Sequence, residues 1–343
     1  MALVQNTNVI IPKIYQGITT LNRIENLAFF KSGAVIQSNY YNNLANGNEG
    51  TIRFWNDLAR TEPNLATDAP ADVAVPLGNS MGSGLYRAHF LNQGWSVADL
   101  TQDVIGVNIM DQIKSRTDDY WAYQLEARCI ASFEGIMADN IANDAGDMVY
   151  DNTGTNLQNA ASARAITKRL VIKAALTAGD QFTRFNTIIV DPEVYETIAD
   201  DVTNTQVLAD GQRASFITSR WMGLNVVVSD QLPIVAAAGA LDGDAAEKHL
   251  VIVCGPGAML YGDATNQLIR PVAINYEEAQ GNGHGIETLW ERKKYIVHPN
   301  GFSFLAAAVT GINATLAQLR TAANWDRTAT RRDIPIAFLK VNV

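Results

Sequence analysis

Residues 116–144 read RTDDYWAYQLEARCIASFEGIMADNIAND, with no proline and a single glycine, Gly135. Apolar side chains recur at Trp121, Leu125, Cys129, Phe133, Met137 and Ile141, with Ile130 and Ile136 beside them. That spacing keeps one stripe of a helix apolar and leaves the charges for its outer face. Ser115 or Thr117 is placed to cap the start, and Asp118 and Asp119 then fall in the positively polarised first turn. Asn143 and Gly146 are stop signals. At helical rise the segment is about 40 Å long, the width of a small domain. A chain carrying a rod of this length has to pack its other elements along it.

The composition allows such a core. A chain of 343 residues, 47% apolar and 18% charged, belongs with folded globular proteins and has room for roughly two or three domains. Its net charge of −9 argues against a surface built to grip nucleic acid, which needs clustered Lys and Arg. Cys129 and Cys254 lie far apart in apolar runs, so they read as buried small hydrophobes in a reducing compartment, not as a disulfide or zinc framework. The first residues lack a basic start and a long apolar run, and no stretch approaches the ~20 residues that span a membrane.

Around the rod the chain reads as α+β. Residues 1–44 form an arm, with apolar pieces punctuated by Asn6, Asn8, Pro12 and Gly17, and it needs another surface to lie on. Residues 45–105 differ from all that follows. Thr51 to Trp55 and Leu85 to Leu91 read as strands, separated by a stretch containing Pro63, Pro70, Pro76, Gly78, Gly82 and Gly84. A structureless loop of that length is uncommon inside a compact domain, so a projecting hairpin is expected. Two strands alone are marginal in water, so the hairpin is expected to dock on another chain.

After the rod, a second helix is predicted over about 160–178, with Ile166, Leu170, Ile172, Ala174 and Leu176 as its apolar side and Gly179 as its end. Thr187 to Val190 reads as a buried strand, followed by a helix that starts at Asp191-Pro192-Glu193. Asn225 to Ser229 and Leu250 to Cys254 are further strands, with a surface loop between them, and residues 166–285 read as a compact α/β part. Ile286 to His298 is a long strand, with Phe302 to Val309 returning beside it after the turn at Pro299-Asn300-Gly301. Ala314 to Asn324 is a short helix, and Ile334 to Val341 a last strand that Pro335 would place at a sheet edge.

Little in the sequence suggests chemistry. Gly78-Asn79-Ser80-Met81-Gly82 matches the G-x-S-x-G nucleophile elbow, but that device needs a strand before the serine and a helix after it. Here Pro76 breaks the approach and a strand follows. His89, His249, His284 and His298 show no metal-binding spacing, and Gly281 to Gly285 lacks the Lys and helix of a phosphate loop. No catalytic, cofactor or metal residues are assigned. Arg327, Arg331 and Arg332 form a small basic cluster that fits either acidic surface on a neighbour or, preferred here, simple solvation.

The order of parts resembles the major capsid proteins of tailed bacteriophages, the Hong Kong 97 fold. Three phrases are similar to elements of that family: residues 185–195, FNTIIVDPEVY; residues 221–233, WMGLNVVVSDQLP; and residues 287–302, ETLWERKKYIVHPNGF. The resemblance implies an N-terminal arm (1–44), an extended loop (45–105), a peripheral domain with a spine helix (106–165), an axial domain (166–285) and strands returning to the peripheral domain (286–343). It implies a non-enzymatic subunit that assembles through hexamers and pentamers into an icosahedral head around double-stranded DNA, located in the virion and assembled in the host cytoplasm. Portal and scaffolding partners follow, with room for a decoration protein outside. An encapsulin-like nanocompartment shell shares the fold and stands as the alternative, and a serine hydrolase at Ser80 as the alternative of another class.

Two departures from relatives matter. The rod begins near residue 116, which leaves no room for a long fused scaffolding segment ahead of the arm, so a separate scaffolding protein is expected. No Lys lies between Lys31 and Lys114, so the loop has no amine for a covalent crosslink to a neighbour. Candidate inter-subunit contacts are Arg53, Phe54, Trp55, Arg60, Glu62 and Arg87. The two aromatics are the candidate anchors, the alternative being that both pack inside their own subunit, and mixed charges set register more than affinity.

Overall fold

The computed structural model describes residues 32–38, 41, 47–153, 165–205, 220–235 and 247–342. Most of the expected arm, and the greater part of the expected surface loop between the strands Leu224–Val228 and Lys248–Cys254, lie outside these residues. The rod is present as a helix over Thr117–Asn143. Its cap differs from expectation. Arg116 holds the N-cap position without a side-chain bond, while the Ser115 and Thr117 hydroxyls donate back to the carbonyls of Gln112 (2.8 Å) and Lys114 (3.1 Å).

Two sheets flank this helix. The first is six-stranded. Its order is Val35–Gln37, Met259–Asp263, Ile286–Pro299, Met81–Ala98 and Glu49–Trp55, with Val272–Glu277 also paired to the early part of Ile286–Pro299. The second is seven-stranded and runs Val149–Asp151, Ile336–Asn342, Lys248–Cys254, Thr187–Val190, Leu224–Val228 and Arg220–Trp221, with Ile234–Val235 paired to Lys248–Cys254. One core cluster joins Cys129, Ile130, Phe133 and Ile136 of the helix to Tyr295 and Val297 of the first sheet and to Ile189, Ile252 and Phe338 of the second. The other face of the second sheet is covered too. There Leu170, Val171, Ala174 and Ala175 of the helix Lys168–Leu176, with Val194 and Ile198 of the helix Pro192–Thr205, pack on Ile188, Val190, Val251 and Leu339. Strands covered on both faces read as continuous apolar runs, as TIIV and LVIV do.

Several expectations change. The middle of the long helix is buried all round, so Glu126 and Arg128 lie inside, not on an outer charged face. Glu126 Oε1 accepts from the Ser229 hydroxyl at 2.6 Å, and Arg128 donates to the Ala314 carbonyl at 3.0 Å. Ile141 is exposed, because each i+4 step drifts about 40° around the helix and five steps carry it to the far side. The same geometry exposes Ile172 and Leu176 in the next helix, which stand about 200° from the buried Leu170 and Ala174. Phe302–Phe304 pairs with Trp325–Arg327, not with the long strand. The last strand is interior, between Val149–Asp151 and Lys248–Cys254, and Pro335 sits just outside it with its carbonyl accepting from Gly255. Sheet membership also crosses the expected boundary at residue 285. Met259–Asp263 and Val272–Glu277 belong to the first sheet, and Ile336–Asn342 to the second.

Candidate assembly interface

The strand Met81–Ala98 carries the projecting element. Its last residues, Ala88 to Ala98, pair with Ile286–Ile296 in the body of the first sheet. Its first residues, Met81 to Arg87, pair antiparallel with Glu49–Trp55, from Glu49↔Arg87 to Trp55↔Met81. The hairpin is therefore a continuation of a body strand. Its root is clamped by the segment after the long strand: Ser303 Oγ accepts from the Leu85 amide (2.9 Å), and Asn313 Oδ1 from the Phe90 amide (2.9 Å).

Glycines let aromatic rings lie across the hairpin. A Cβ on Gly82 would fall 2.5 Å from the ring of Phe54, its cross-strand partner. Gly50 stands under Tyr86 in the same way. Phe54 is thus half-buried against its own hairpin, whereas Trp55, on the opposite face, is 67% exposed. Beyond Trp55, residues 56–80 have no regular structure and are exposed throughout. Leu58, Leu65, Val73, Val75 and Leu77 all stand in solvent, Val73 at 83% exposure. A groove of about 1000 Å³ opens between Phe54–Arg60 and the segment Thr328–Asp333.

The six candidates separate on this geometry. Arg53, Trp55, Arg60 and Glu62 are exposed on the hairpin, with Arg60 paired to Asp57 of the same loop at 3.3 Å. Phe54 divides between its own subunit and the surface. Arg87 does not belong with them. It is buried, paired with Glu49 at 3.1 Å, and donates to the carbonyls of Ile312 (2.9 Å) and Gly311. Two of the three residues of the basic cluster are absorbed internally, while Arg332 is exposed, as a solvated reading expects. Arg327 bonds both Asp147 oxygens (2.7 and 2.8 Å) beyond the C-terminal end of the long helix, and Arg331, pushed down to about 10 by burial, reaches the Thr177 hydroxyl at 2.6 Å.

Sequence reasoning missed a second apolar surface. On the strand Val272–Glu277, Val272, Ile274 and Tyr276 are exposed, as is Ile269 before it. The three alternate with Ala273, Asn275 and Glu277, so the period-2 signal of a strand stood in the sequence, but its apolar face is turned outward. Ser80 lies in no nucleophile elbow: it precedes a strand, and its hydroxyl accepts from Asn56 Nδ2 at 2.9 Å. Asp191, Glu193 and His249, which carry no signature spacing in the sequence, converge from two elements, with one ligand atom of each within 4.8 Å of the others.

Comparison with known proteins follows this geometry. The sequence model of the Gp13-like family, described as Major capsid protein 13-like, matches residues 114–333. A major capsid protein of Bacillus phage SPP1 is 24% identical over 347 aligned positions, spanning 99% of this chain and 98% of that one. Among solved structures, the Cyanophage Pam1 capsid asymmetric unit is similar with a TM-score of 0.57 at 10% identity, covering 95% of this chain and 94% of that one. The capsid of Ralstonia phage GP4 gives 0.54 at 8% identity, covering 91% and 88%.

Proposed function

The chain belongs to the Gp13-like family of major capsid proteins, and from that premise we propose that its subunits join through the hairpin, each tip lying over a neighbour. The protein is a structural subunit of a tailed-phage head, with the Hong Kong 97-like fold, and its place is the virion. In the proposed arrangement the hairpin is the extended loop. The first sheet and the long helix form the peripheral part, and the second sheet with its two helices forms the axial part. Subunits meet as hexamers and pentamers around double-stranded DNA, which the net charge of −9 confines without gripping. A separate scaffolding protein and a portal complete the assembly, with room for a decoration protein outside. The two free, buried thiols fit assembly in the host cytoplasm.

The observation that carries this reading is the exposed run from Trp55 to Met81. A monomeric soluble protein rarely shows so many large apolar side chains on one projection unless a partner covers them. Many weak copies of such a contact make a stable closed shell. The test replaces residues 58–77 with a short Gly-Ser link. Negative-stain microscopy with sedimentation should show shells or rings for the native chain and only folded monomers for the variant. Shells of native shape and yield from the shortened chain would refute the proposal.

A further inference from the structure

We propose that Asp191, Glu193 and His249 form a binding site for a divalent transition-metal ion of the zinc class, separate from the hairpin. Asp191 follows the buried strand Thr187–Val190, and Glu193 sits in the first turn of the helix Pro192–Thr205. His249 comes from the strand Lys248–Cys254, opposite Val341 on one side and Ile234 on the other. One ligand atom from each of the three lies within 4.8 Å of the other two. His249 is 1% exposed and Asp191 2%.

The hydrogen bonding leaves two buried polar atoms of this group without a partner among the described residues. Asp191 Oδ2 lies 2.7 Å from His249 Nδ1. In the neutral ring, a carboxylate there takes the Nδ1 proton's hydrogen bond and leaves the lone pair on Nε2. That atom is buried and, among the described residues, makes no hydrogen bond; nor does Asp191 Oδ1. Nε2 faces Glu193 Oε2 at 3.5 Å. With the ring neutral both atoms are acceptors, and the gap exceeds the roughly 2.7–3.2 Å of a hydrogen bond. It does match the edge of a tetrahedral zinc site: bonds of about 2.0–2.2 Å at that angle set neighbouring ligands ~3.4 Å apart.

Each residue then has a role. His249 Nε2 and Glu193 Oε2 are the ligands, and water fills the remaining positions. Asp191 is the carboxylate behind the histidine that fixes its tautomer and ring plane. An imidazole ligand selects zinc-like ions over magnesium or calcium, which take oxygen. Glu193 is more than half exposed, so the ion has an entry path to the buried nitrogen. The positive end of the helix opposes a cation here, but two carboxylates face the site. A bound ion would tie that helix to the central strand of the second sheet.

The test uses the full chain, purified with a chelator, dialysed and titrated with zinc chloride by calorimetry, with cobalt(II) absorbance as a second readout. Binding of about one equivalent at micromolar affinity or tighter is expected. E193Q should weaken that binding by about tenfold or more while leaving the melting temperature of the metal-free protein unchanged, because Glu193 is exposed. H249Q should abolish it. Absence of that equivalent, or equal affinity in E193Q, would overturn the proposal; a proton shared by His249 and Glu193 would give that result.

Discussion

Arg87 and Trp55 occupy opposite ends of the hairpin ladder, paired with Glu49 and Met81. Both residue types are common at interfaces, and the sequence places them on one element, so both read as contacts. Burial separates them, and burial depends on the segment 311–313, more than two hundred residues away. R87M would strand two carbonyls and Glu49, and should lower the unfolding free energy in urea by about 2–3 kcal/mol, the range for hydrogen bonds to a charged group. W55A should leave it within about 0.5 kcal/mol, as exposed positions do, while reducing shell yield; full yield would remove Trp55 as an anchor. Two histidines set a pH dependence. Burial pushes His298 down to about 4, against the opposing hydrogen bond to Phe302; burial, then Arg128 and Arg87, push His89 down to about 3. Both bind protons more readily unfolded, where the value is near 6.5, so stability falls as pH drops below 6.5 and the loss levels off near 4 and 3. Between pH 6 and 5 the two together should remove about 2 kcal/mol, measured by urea unfolding. H298Q should halve that fall, and an unchanged slope would show that His298 already titrates normally.

The long helix was the most legible element, because its length, its glycine-poor interior and its first-turn acids all agree with one structure. What the pattern did not give is the number of partners. A stripe predicts one covered face, but two sheets enclose the helix, so Glu126, Arg128, Ser132 and Asn140 are buried as well. Gly135 makes the same point. Helix propensity alone says that alanine there should stabilise by about 1 kcal/mol. In the fold, the Leu319 carbonyl and the Trp325 ring, joined by a 2.7 Å hydrogen bond from Trp325 Nε1, press against the glycine, and a Cβ would collide with both. G135A is therefore expected to destabilise by about 1–3 kcal/mol, the usual range for overpacking, with a lower urea midpoint at unchanged slope. A variant as stable as the native chain would mean that the crossing is looser than these contacts describe.

At the scale of the molecule, the order of parts was readable and the sheet assignments were not. Local patterns identify LVIV and AFLKV as strands, but nothing local says that Ile336–Asn342 lies between Val149–Asp151 and Lys248–Cys254. Pro335 suggested an edge because proline cannot donate to a ladder, yet it stands one residue before the strand and leaves every rung intact. The projecting hairpin was legible for the opposite reason: its tip, residues 56–80, is exposed throughout, so among the described residues little overrides what the prolines and glycines say. That exposed tip also bears on how a finished shell holds together. From residue 32 to residue 113 there is no lysine, so the hairpin offers no side-chain amine to a neighbour's Asn or carboxylate. What it offers is apolar surface, with Leu65, Val73 and Leu77 exposed, and burial of such surface is reversible in detergent. Mature shells boiled in denaturing detergent should therefore run as single subunits, with no ladder of multiples above them. A ladder of covalent oligomers would show that a bond forms elsewhere in the subunit, and that the hairpin's apolar contact is not what closes the shell.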